Sequence, residues 1–148
     1  MTLYQILLVL HIAFTAIWFG SSISTPGRIR RGLQSGDAEA KWMVSETARA
    51  LRLSFIFGIL TFVSGLVLVF QVGGFKHVGK NIHMSMGMVL VMIALDMVLQ
   101  TIWKGAQQKF SETGDHSILQ GVKGKMVMFG GMQQLLWLVV LGLMVIKI

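Results

Sequence analysis

Four stretches of the chain run apolar with almost no charge to interrupt them, covering residues 3–24, 53–71, 82–103 and 126–146, and the third helix is expected to begin before its apolar run, near Phe75, and so to cover 75–103. About 20 such residues, rising about 1.5 Å each as a helix, cross a hydrocarbon layer about 30 Å thick. None of the four alternates polar and apolar with the period of two that a barrel strand needs. Backbone groups in hydrocarbon must bond one another, so the expected fold is all-α: one domain, a four-helix up-down bundle crossing a membrane. The first stretch is expected to be retained as a span. No Lys or Arg precedes it, and His11 and Trp18 lie within it.

Between the spans the pattern changes. Residues 37–52 (DAEAKWMVSETARALR) alternate as an amphipathic helix leading into the second span, and this helix is expected to lie on the membrane surface. Residues 105–124 are polar without an apolar period and predict a flexible loop with His116 solvated in it. Lys104 followed by Gly105 predicts the end of the third span.

Composition supports the membrane assignment, with 54% apolar and 13% charged residues against soluble averages of about 45–50% and about 25%. Cysteine is absent, which excludes disulfides, thiolate metal ligands and cysteine nucleophiles. The net charge of +7 is a matter of topology, with no nucleic-acid partner expected. Arg28, Arg30, Arg31, Lys41, Arg49 and Arg52 precede the second span, and Lys104, Lys109, Lys123 and Lys125 follow the third. Lys76, Lys80 and Lys147 fall on the other side, so ten of the thirteen basic residues share one face. The positive-inside rule makes that face cytoplasmic and puts both termini outside, as in a bacterial-type inner (plasma) membrane.

Candidate chemistry lies on the helix faces. Tyr4, His11, Thr15, Trp18 and Ser22 form one stripe of the first span, expected to face the bundle. Ser54, Gly58, Thr61 and Gly65 form a small-residue line on the second, read as close packing. On the third, Gly79, Lys76, Lys80 and Gly87 share the face of His83, while Asp96 points away and is expected to pair with Arg49 or Arg52. On the fourth, Gln134 is expected to need an internal partner.

His11 lies eight residues after Leu3, and His83 eight after Phe75, so both are expected at about 12 Å depth. On diagonal helices, level histidines would face each other as the axial ligands of a haem b, which needs no cysteine. Lys80 and Lys76 would meet the propionates, and Gly79, Gly87 and Trp18 would border the macrocycle. The rival reading is copper handling by His11, His83 and His77 with Met84, Met86, Met88, Met92 and Met97, whose thioethers suit Cu(I). The expected partners are the bilayer, haem and an unidentified redox protein, with self-association into a homo-oligomer left open.

Leu10, His11 and Ile12, then Trp18, Phe19 and Gly20, then Pro26 and Arg28 resemble the first helix of the membrane-embedded bacterial protoporphyrinogen oxidases. That family is related in pattern to the copper-resistance D domain proteins. Residues 64–66 (SGL) resemble the family's second helix, and Phe75 with Lys80 the opening of its third. The resemblance implies a four-helix haem-binding or copper-handling membrane protein with His11 as a site residue, and a protoporphyrinogen-oxidising enzyme as a further possibility. Arg28 follows Pro26 by two residues here, and no histidine stands deeper in the third span.

Overall fold

The computed structural model describes residues 2–34 and 36–145. Four helices account for nearly all of them: α1 (Leu3–Leu33), α2 (Asp37–Gln71), α3 (Lys80–Thr113) and α4 (His116–Val145). Each is long and apolar enough to cross a membrane. They form an up-down ring in which α1 packs on α2 and α4, and α3 packs on α2 and α4.

At 30 to 35 residues, the helices span about 45–52 Å and overrun a hydrocarbon layer of about 30 Å. The excess lies at the basic end, and it changes two expectations. Residues 37–52 do not lie flat on a surface. They are the first half of α2, and Ala40, Met43, Val44 and Leu51 join Ile29, Trp103, Phe110 and Leu119 in one buried cluster. The polar stretch 105–124 is likewise helical apart from Gly114 and Asp115. Its apolar residues are sparse but correctly spaced, since Trp103, Ala106 and Phe110 from α3 and Leu119 and Met126 from α4 are all buried. His116 is half-buried, with its ring 5.4 Å from that of Phe110.

Local signals set the ends. Thr2 and Gln5 close a capping box at the start of α1. Gly114, at φ +68°, terminates α3 in the left-handed conformation that glycine adopts without a Cβ penalty. Asp115 then receives the Ser117 amide at 2.8 Å and the Ser117 hydroxyl at 2.7 Å, starting α4. These bonds, the hydroxyl's foremost, hold the Asp115 carboxyl below its ordinary range. At the other end, Phe75–His77 forms a short 3₁₀ turn, so α3 begins at Lys80 and not near Phe75.

The four helices meet in one polar cluster. Asp96 of α3, 1% exposed, accepts hydrogen bonds from Trp18 Nε1 of α1 at 2.8 Å, Ser54 Oγ of α2 at 3.0 Å and Gln133 Nε2 of α4 at 3.0 Å. The expected pairing with Arg49 or Arg52 is not made, because three neutral donors at the carboxylate's own depth surround it. Arg52 is exposed and Arg49 bonds Glu46 at 2.8 Å. Gln133 is the inward glutamine of α4 and Gln134 is only half-buried, which corrects the expected face of that helix. Interhelical bonds of this kind stabilise membrane bundles by about 1 kcal/mol each. Gln133→Leu is therefore expected to lower stability by about 1–2 kcal/mol, and Gln134→Leu by clearly less. Equal losses in detergent unfolding would place the wrong glutamine inside.

Candidate functional site

Between the Asp96 cluster and the end opposite the basic loops, the bundle opens around a cavity of about 450 Å³. Leu8, Phe62, Leu68, Val69, Val89 and Val140 make its walls mainly apolar, and Tyr4, Thr15, Thr61 and Ser85 add hydroxyls. Trp137 also lines it. The same indole meets Trp18 edge-on, with ring centroids 4.9 Å apart, and Phe19 at 5.5 Å.

His11 lines the cavity and is half-buried. Its Nδ1 lies 2.9 Å from Ser64 Oγ, and the Ser64 hydroxyl is also within 3.1 Å of the Thr61 carbonyl. This second-helix contact fixes the ring and leaves Nε2 for another partner. Gly65 makes room for the imidazole, since a Cβ there would lie 3.2 Å from His11 Cε1. Among the described residues, the buried Thr61 Oγ1 and Trp137 Nε1 have no hydrogen-bond partner. Both belong to residues of the cavity wall, although the two atoms themselves are buried.

The structure does not bring His83 to this site. Trp18 and Asp96, joined by their hydrogen bond, set α1 and α3 in register. Counting along each helix from that bond puts His11 about 10 Å and His83 about 20 Å toward the open end. His83 also lies about 140° around α3 from the inward Asp96. It is exposed, with Nδ1 3.1 Å from the Gly79 carbonyl and its ring 5.6 Å from that of Phe75. The level, facing pair expected from residue counts is thus absent. The count began at Phe75, although α3 begins at Lys80, and the face chosen as inward was the one opposite the carboxylate.

The other expected residues divide similarly. Trp18 is fully buried, but beneath the cavity. Its ring lies against Gly58, where a Cβ would come within 3.0 Å. Gly79 is the N-cap of α3, and Gly87 is exposed with nothing near its open side. Lys76 and Lys80 are exposed. So is His77, whose Nδ1 lies 2.8 Å from the Gly73 carbonyl. The helix 3 methionines scatter: Met92 is buried, Met84 and Met97 are exposed, Met88 packs on the core, and Met86 lines the cavity with Met144 of α4. Among the described residues no three His, Asp or Glu side chains gather as metal ligands.

The chain has no cysteine, so single engineered thiols report on the cavity cleanly. A cysteine at the partly exposed Met86 of the cavity wall is expected to react with a small lipophilic maleimide, while one at the fully buried Met92 stays protected. Adding Gly65→Leu should slow the Met86→Cys reaction several-fold by filling the space beside His11. Equal rates with and without it would mean that Gly65 does not border the accessible space.

Comparison with protein-family models, with curated proteins and with solved structures finds no match for this chain in any of the three.

Proposed function

We propose that the chain is a small b-type haem protein of a bacterial-type inner membrane, serving electron transfer, with the haem held in the His11 cavity. The observation that carries this reading is His11 itself, an imidazole fixed through Nδ1 by Ser64 on the wall of a large apolar space within the membrane-spanning part of the bundle.

The residues present fit a haem held by one histidine and do not fit the bis-histidine arrangement, because His83 lies outside the cavity. His11 Nε2 would be the protein's nitrogen ligand, and the mainly apolar walls would keep water from the group. Val72 and Val78 line the cavity at either end of the connector that carries Lys76, and Lys80 opens α3 just after it. These lysines would be the cations offered to propionates at the membrane surface. Haem would supply one-electron redox chemistry, with a potential tuned by its second ligand and by the dryness of the cavity.

Protein made with ample haem should be coloured. His11→Ala is expected to abolish the Soret band, His83→Ala to leave it unchanged, and Lys80→Ala to retain haem with weaker affinity. A colourless preparation, or a spectrum unmoved by His11→Ala, would reject this reading.

A second reading, copper(I) handling, draws on Met86 and Met144, whose thioethers share the cavity with His11. It predicts no Soret band, and copper retention that falls in both His11→Ala and Met86→Leu.

The proposed orientation places the basic end in the cytoplasm and both termini outside. A C-terminal reporter that works only in the cytoplasm should stay silent, whereas strong activity would invert the protein and put the His11 cavity in the cytoplasmic half.

A further inference from the structure

On the basic side of Asp96 lies a second, much smaller cavity of about 10 Å³, which is about the room that one water molecule needs. It is lined by Ser22, Thr25 and Pro26 of α1, Ser54 of α2, Asp96 of α3 and Gln133 of α4. Two acceptors flank it for independent reasons. One is the Asp96 carboxyl. The other follows from Pro26, which sits inside α1. Its ring nitrogen has no hydrogen, so the Ser22 carbonyl loses the donor four residues on that a continuous helix provides. In membrane helices a carbonyl freed in this way is re-satisfied by neighbouring side chains or water. The hydroxyls nearby donate elsewhere, Ser22 Oγ to the Phe19 carbonyl at 2.9 Å and Thr25 Oγ1 to the Ser21 carbonyl at 3.1 Å.

Among the described residues, no charge balances Asp96. The groups that face it from the other three helices are the neutral Trp18, Ser54 and Gln133. Charged residues on the flanking turns serve other contacts or face outward. Arg28 meets Glu46 at 4.0 Å, while Arg52 and Lys125 are exposed. An ionised carboxyl at this depth carries a large desolvation cost, which a proton removes. The cluster accommodates either state. Trp18 N–H and the Gln133 amide hydrogens can only donate, but the Ser54 hydroxyl can turn and accept.

From these contacts we infer that Asp96 is a proton-binding site inside the membrane, loaded from the basic side through one water held between it and the Ser22 carbonyl. In loading, a hydronium ion at the basic side gives a proton to this water. The water passes a proton to an Asp96 oxygen, and the O–H formed points to Ser54 Oγ. One hydronium becomes water and one carboxylate becomes a neutral acid, and unloading is the reverse. The inference is independent of what occupies the His11 cavity, because Trp18 and Trp137 stand between the two spaces.

Infrared spectroscopy of the purified protein in lipid tests this without an activity assay. Of the six acidic residues, Asp96 is the one buried among those whose side chains are described. A protonated-carboxyl C=O band at neutral pH is therefore expected, lost in Asp96→Asn, shifted in Ser54→Ala, and moved promptly by transfer to D₂O. Pro26→Ala, which returns a donor to the Ser22 carbonyl, should slow the D₂O shift several-fold. Gly65→Leu, on the other side of the tryptophans, should leave it unchanged. A carboxylate signal at neutral pH that turns to the acid form when choline replaces sodium would overturn the inference in favour of a bound metal cation. So would a band unmoved by D₂O over hours, an unchanged rate in Pro26→Ala, or slowing by Gly65→Leu.

Discussion

A carboxyl group buried among apolar helices has to be met by donors, and in this protein they come one from each of the other three helices. Asp96 accepts from Trp18, Ser54 and Gln133 at 2.8–3.0 Å. The depth of every helix relative to the others is thereby fixed, and hydrophobic residues alone cannot do that, since side chains and lipid tails are equally apolar. Sliding one helix by a single turn would leave the carboxyl short of a donor in a medium where nothing replaces it. The edge-on pair of Trp18 and Trp137, the Gly58 approach to Trp18 and the placing of His11 all depend on this register.

The cluster also divides the bundle into unlike halves. Toward the basic end, side chains fill the interior apart from the small cavity beside Asp96, and Trp103 and Gln100 of α3 bond carbonyls of α2 at Val44 and Leu51. Toward the other end the helices part around the His11 cavity, with Asn81 bonding the Leu143 carbonyl at 3.0 Å near its rim. Small residues on α2 mark the change. Ser54 serves the carboxyl, Gly58 admits the Trp18 ring, and Thr61 and Gly65 leave space that larger residues would fill.

The four spans were legible because uninterrupted apolar runs of that length have few other uses, and the inward stripe of α1 was legible from Trp18 and Ser22 at helical spacing. The extensions at the basic end were hidden in polar sequence, where one buried residue per turn, such as Ala106 or Phe110, is too thin a signal to read as a helix. The site was half legible. His11 stood on the correct stripe, but its partner did not, because the start of α3 is set by Gly79 and the preceding 3₁₀ turn and not by where hydrophobicity begins. Asp96 itself held the missing clue. Val89, Met92, Asp96, Leu99 and Trp103 recur at helical spacing, so the face of the carboxyl was the inward one and that of His83 the outward one. Ser64 and Gln133 carried too little distinction from their neighbours to be selected by pattern.

The order of these four residues along the chain bears on how the protein enters a membrane. A ribosome delivers Trp18 and Ser54 on the first two helices, so an α1–α2 hairpin offering two donors precedes the carboxyl. Asp96 then arrives on a span that must enter hydrocarbon carrying a charge or a borrowed proton, and Gln133 follows last. Until α4 is inserted, the carboxyl rests on a partial set of partners. Chains stalled or truncated after α3 expose that group to lipid or to quality-control proteases, so the fourth helix is a closing clamp as well as a span.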